Sequence, residues 1–334
     1  MHYLPPIRSG LFLIAISLFC SCSIGLKTAQ VNAVEKYTVV TKGVSIIPPD
    51  VYNRVYQLRS QTQTLQLSGV IATNESARES VEALQLDLND KLKFLDMVDS
   101  FAYAYRIVGK YADLVHCLIS ESYLKDFTKN KKEWQTSFDG LVTTYNAACV
   151  QRVPPSTSIP PSVGSIAANI IKELGSAKIN SLQKKYLKAA ISTARKPFEG
   201  ICDDFLNTDI PKIQKELSEL PSFINENFKD FLNNLKAYET KQGNSPYNYY
   251  KLYLPIYLNW QVQLRELNTL VNQLRVCILS LRNSYGVLDD FVSSANPGKE
   301  VPKEIVQLEA DYTNLLDTIA KFSVARDRLF KITY

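Results

Sequence analysis

From Ser80 onward the apolar residues fall at Leu84, Leu88, Leu92, Leu95, Val98, Ala102, Tyr105, Val108, Ala112, Val115 and Ile119, always three or four apart. That spacing lines one side of a helix, and the stripe predicts a continuous helix of about 60 Å at roughly 1.5 Å per residue. The pattern recurs. Ile213, Leu217, Leu220, Phe223, Phe228 and Leu232 mark a helix over 210–240 that Pro221 is expected to break or kink. Leu264, Leu267, Val271, Leu274, Ile278, Leu281, Tyr285 and Leu288 hold a narrow coiled-coil-like seam within 250–292. A last helix opens at Pro302 and runs through Ile305, Leu308, Tyr312, Leu315, Ile319 and Phe322. Segments 51–67, 134–150 and 162–205 also read as helices.

The breaks between these stripes set the organisation. Asn74 and Ser76, with Glu79 three residues after Ser76, form a capping box ahead of the long stripe. Lys125, Lys129, Lys131 and Lys132 read as a basic turn over 125–132. Pro154-Pro155 and Pro160-Pro161 make 153–162 a proline-rich link between hairpins, and Asn296-Pro297-Gly298 breaks the chain again. Tyr37-Thr38-Val39-Val40-Thr41 is β-rich and Pro48-Pro49 soon follows, so 22–49 is expected to be a strand-like or extended linker. The fold class is all-α: an elongated antiparallel bundle of five to seven helices over 50–334.

Composition narrows the classes. Only 12 glycines in 334 residues argue against a sandwich or barrel, whose many turns consume glycine. A net charge of +5, evenly mixed, is too mild to point to nucleic acid as a partner. The chain has two histidines, His2 and His116, too few for a two-histidine metal cluster once His2 leaves with an export signal. Cys117 adjoins His116, but neighbours on a helix diverge by about 100°, which disfavours a catalytic couple. No P-loop, G-x-G-x-x-G or G-x-S-x-G motif occurs, and nothing calls for a cofactor.

Three features stay open. Gly200-Ile-Cys-Asp-Asp-Phe-Leu and Gly286-Val-Leu-Asp-Asp-Phe-Val echo each other; the paired aspartates are either helix-end turn chemistry or a carboxylate cation site. Cys117, Cys149, Cys202 and Cys277 allow two disulfides in three connectivities, or four buried thiols. Tyr247, Tyr249, Tyr250, Tyr253, Tyr257 and Trp260 crowd one helix end, where they plug the bundle or offer a contact surface to membrane, glycan or protein.

At the N-terminus, Arg8 precedes the apolar run Gly10–Phe19 and Cys20-Ser21-Cys22-Ser23 follows, the order of a bacterial export signal over 1–21. Phe19-Cys20-Ser21-Cys22 resembles the lipobox of bacterial lipoproteins, which implies Cys22 as the lipid-bearing residue. Two alternatives are cleavage after Val31-Asn32-Ala33 and an uncleaved anchor. With its long helices, the chain resembles all-helical bacterial envelope lipoproteins of unassigned activity. The resemblance implies a cell-envelope setting, a membrane partner through Cys22, and a non-catalytic binding or scaffold role with a protein partner. The bundle also looks like the α-helical pore-forming toxins, with 163–171 as the nearest match to their inserting hairpin. An envelope enzyme without a recognisable motif is the third reading.

Overall fold

A computed structural model describes residues 26–73, 82, 85, 89, 102–151, 155–173, 179–241, 243 and 247–332. Among them there is no strand. In chain order the helices are α1 (Thr28–Val44), α2 (Ile47–Thr73), α3 (102–117), α4 (Glu121–Gln151), α5 (Pro161–Glu173), α6 (Ile179–Asp204), α7 (Ile210–Lys241), α8 (Tyr247–Ser293) and α9 (Lys303–Ile332). A π-helical turn, Phe205–Asp209, joins α6 to α7. The expected export signal at 1–21 and the capping box at Asn74, Ser76 and Glu79 lie outside the described residues.

The all-α bundle is what the periodicity predicts, and three local expectations are corrected. First, 28–44 is helix where an extended linker over 22–49 was expected. Val34, Tyr37, Val40 and Val44 fall at helical spacing and are buried, so core packing overrides the β-propensity of the segment. Thr38 and Thr41 fit the helix by donating their hydroxyls back to the carbonyls of Val34 (2.9 Å) and Tyr37 (2.7 Å). Pro48 and Pro49 occupy the first turn of α2, where a missing N–H leaves no helical bond unmade.

Second, the basic turn expected at 125–132 lies inside α4. The chain instead reverses over 118–120, where the Ile119 and Ser120 amides donate to the His116 carbonyl (3.0 and 3.2 Å). Phe127 and Trp134 pack inward, with rings 5.4 Å apart, and Lys129 and Lys132 stay exposed. Third, α7 continues through Pro221 without a break. Leu220 and Ile224 are buried on either side of it, and the Arg59 guanidinium sits over the Phe223 ring at 4.9 Å, so tertiary contacts hold the helix across the missing hydrogen bond.

The seam over 250–292 is the centre of the molecule. Leu267, Leu270, Leu274, Cys277, Ile278 and Val292 of α8 are fully enclosed. The α6–α7 rod runs antiparallel to α8: Arg282 lies opposite Asp203, Asn272 opposite Gln214 and Tyr257 opposite Asn225. Asp204 and Ile210, which flank the π-turn, keep right-handed helical angles, so the rod passes through it unbroken. On other sides of α8 stand α9, where Ser284 donates to the Glu304 carbonyl (2.9 Å), and α1, where Tyr37 meets Tyr285 edge-on at 5.4 Å. Parallel to α7 runs α2, tied by Arg59 to Glu216 at 2.6 Å. The link after α4 is fixed by Asn146, whose amide donates to the Ile159 carbonyl and accepts from the Ile159 amide, both at 2.8 Å.

Candidate functional site

The residues α1 was not expected to present form one wall of a surface groove. Thr38, Val39, Lys42, Gly43 and Ile46 face Ala112, Asp113 and His116 of α3 across a space of about 400 Å³. The helices are antiparallel here, and Gly109 lets them close up: a β-carbon on it would collide with Ser45. Lys42 pairs with Asp113 at 2.9 Å, and Thr38 Oγ1 lies 3.0 Å from His116 Nδ1. Because the Thr38 hydroxyl is also within 2.9 Å of the Val34 carbonyl, the consistent pattern has Thr38 donating to that carbonyl and accepting from His116 Nδ1–H. Burial, helped by the Lys42 ammonium, pushes His116 below the ordinary imidazole range, against the pull of Glu35 and Asp113. The ring is therefore neutral at pH 7.

His116 and Cys117 do not act together. Cys117 faces the core, and burial first, then Asp113, pushes its thiol up to about 12, so no nucleophilic thiolate forms near neutrality. The β-propensity of 37–41 hides that Thr38 and Lys42 share one face of a helix opposite Asp113. The signals that would have found them are the spacings Thr38–Lys42 and Asp113–His116, each one turn apart.

The other singled-out residues are placed as follows. Cys117, Cys149, Cys202 and Cys277 are buried free thiols in this structure. Of the paired aspartates, Asp203 accepts two bonds from Arg282 (2.9 and 3.2 Å), Asp204 accepts from the Thr157 amide (2.6 Å), and Asp289 and Asp290 each lie 3.4 Å from Arg195 Nη1. Gly286 makes room for that guanidinium, whose Nη2 would be 2.7 Å from a β-carbon. The echo is thus a pair of reciprocal arginine–aspartate clamps between α6 and α8. No group of metal-ligating side chains occurs among the described residues.

In the aromatic cluster, Tyr253 packs edge-on to Phe231 (4.7 Å), Tyr257 lies 4.8 Å from Phe228 and donates to Asn225 Oδ1 (2.7 Å), and Trp260 is buried against Phe228. These rings fasten α8 to α7. The side chains of Tyr249 and Tyr250 lie outside the described set. What the cluster leaves outside is aliphatic: Leu252, Leu254, Ile256 and Leu258 are 62, 50, 37 and 49 % exposed. Segment 163–171 lies in α5 with Val163, Ala167, Ile170 and Ile171 turned into the core. Among the described residues no helix is long and apolar enough to cross a membrane. Among the described residues these features define an all-helical bundle with a surface groove and an aliphatic helix end. No family model, curated protein or solved structure matches the chain.

Proposed function

We propose that the chain is a non-catalytic binding or spacer module of the bacterial cell envelope, held at a membrane by lipid on Cys22. The observation that supports it is the way α1 is built into the fold so soon after that cysteine. Ala33 is fully buried, and Gln30, also fully buried, donates its amide to the carbonyls of Phe291 (3.0 Å) and Val292 (3.2 Å) at the end of α8. Cleavage after Ala33 would strip these groups from the bundle. A chain starting at Cys22 keeps them and leaves only a few residues before Thr28, so the bundle would stand directly on its anchor. Metabolic labelling with a palmitate analogue tests this: label on the native chain and none on Cys22→Ala is expected, and equal absence of label in both removes the anchor.

The groove favours a second reading in which the module binds a small ligand. Its walls are mainly apolar, with neutral His116 and the Lys42–Asp113 pair as polar points, the make-up of a ligand site. A chemical-shift screen against small amphiphiles, read at His116 and Thr38, would show site-specific perturbations if the groove is used.

A further inference from the structure

We infer that the end of the α7–α8 hairpin that carries Tyr238 and Leu252 to Leu258 is a docking surface for an anionic lipid bilayer. Twelve large hydrophobic side chains are exposed among the described residues, and five of them, Tyr238, Leu252, Leu254, Ile256 and Leu258, belong to this one end. Chance scatter of surface apolar groups does not concentrate them so. The cause is the geometry of the seam. Among the described residues at the start of α8, the rings of Tyr253, Tyr257 and Trp260 pack on α7, at spacings of four and three, so Leu252 and Ile256 project on one flank of the contact and Leu254 and Leu258 on the other. Water gains nothing from a helix that is greasy on both flanks, whereas an acyl boundary takes up aliphatic side chains at about 25 cal/mol per Å² buried.

Charge selects the kind of surface. Lys236, Lys241 and Lys251 are exposed around this end, and the one acidic residue between 231 and 264, Glu239, is buried. Cations ringing exposed Leu and Ile are complementary to anionic headgroups over an acyl layer, and would repel a basic partner. A second copy of the chain would bring the same lysines against one another, which argues against self-association through this face.

The position of this end adds a geometric consequence. The Gln30 contact at Phe291 lies about 60 Å along α8 from Tyr253, at roughly 1.5 Å per residue. The lipid-contacting end and the start of α1 therefore sit at opposite ends of the central helix. Lipid docking does not depend on the Cys22 reading, but together the two make the bundle a spacer between an anchoring membrane and a second anionic surface.

The test places an environment-sensitive fluorophore on full-length protein carrying Cys20→Ala, Cys22→Ala and Leu254→Cys, with the same label at Val276→Cys in the same background as control. The four buried native thiols stay unlabelled in the folded protein. With phosphatidylglycerol vesicles the label at 254 is expected to shift to the blue and the label at 276 to stay unchanged, so insertion of the leader cannot mimic the result. Exchange of Lys236, Lys241 and Lys251 for Gln, which alters no packed residue, is expected to weaken the response roughly tenfold or more and to abolish the preference over phosphatidylcholine vesicles. Identical responses at 254 and 276 would overturn the proposal. So would a shift at 254 that needs no vesicles and grows with protein concentration, which would assign the face to a second copy. Because the cysteine is absent throughout, failure here leaves the labelling result on Cys22 standing, and the reverse.

Discussion

Gly109 has no room for a β-carbon, since Ser45 of the turn between α1 and α2 occupies the space. Gly109→Ala is expected to cost about 1–3 kcal/mol by overpacking this crossing, despite the better helix propensity of alanine. Gly140, with nothing within 4 Å of a built β-carbon, should gain about 0.5–1 kcal/mol on the same change. Thermal unfolding of the two variants separates close approach from propensity. The thiols make a second expectation. Burial first, with Asp203 beside Cys202 and Asp311 beside Cys277, pushes both thiols up to about 12 from an ordinary 9.0. The unfolded chain releases these protons near pH 9 while the folded chain keeps them. Their contribution is therefore intact below about pH 9 and is lost as pH rises toward 12. Under reducing conditions the urea midpoint should fall between pH 7 and about pH 10, and a thiol reagent should modify Cys117, Cys149, Cys202 and Cys277 only on unfolding. Residue-level meaning was partly legible: the apolar setting of Cys149 and Cys277 pointed to buried thiols as one of two readings. That Thr38 and Lys42 face His116 was not legible, because they come from a helix 70-odd residues away.

Between elements, the reciprocal clamps look strong and are worth little individually. The Arg282 and Asp203 side chains are 39 and 41 % exposed, so a double-mutant cycle with alanine at both should return a coupling of at most about 1 kcal/mol. What the clamps supply is register: Arg195 with Asp289, and Arg282 with Asp203, match only when α6 and α8 run antiparallel at this offset. Gln30 contrasts with them. It is buried and bonds two carbonyls at the end of α8, so Gln30→Ala should cost about 2 kcal/mol and raise amide exchange through α1. The stripes of α7, α8 and α9 were legible because each carries one uninterrupted apolar face. Helix α1 was not, since Val39, Val40, Thr38 and Thr41 favour strands in isolation. Only the burial of Val34, Tyr37, Val40 and Val44 against other elements decides in favour of helix.

At the scale of the whole molecule, a histidine or cysteine in a sequence is a poor guide to activity until its surroundings are known. Cys117 is locked in the core and His116 leans over a groove whose carboxylate is already paired with lysine. The aromatic stretch shows the same lesson reversed: Tyr253, Tyr257 and Trp260 fasten α8 to α7, and Leu252, Leu254 and Leu258 between them face outward. Alternation of Leu252, Leu254, Ile256 and Leu258 across a helical stripe was the available signal, and it was masked by reading that stretch for its tyrosines. An N-terminus woven into the bundle also predicts that truncation at Ala33 destabilises the protein, while truncation at Cys22 leaves its unfolding midpoint unchanged.

The π-turn at Phe205–Asp209 sets the rotational phase of the molecule. A π-turn holds one residue more than an α-helix needs, so it turns everything after it by about 100° without interrupting the rod. Phe205 and Asp209 are buried there, and the faces that α6 and α7 each offer to α8 depend on that single surplus residue. Removing the exposed Asn207 would restore regular winding and swing Ile213, Leu217 and Leu220 off their partners. One residue in this short stretch thus keeps two halves of a helix about 95 Å long in step with a common neighbour.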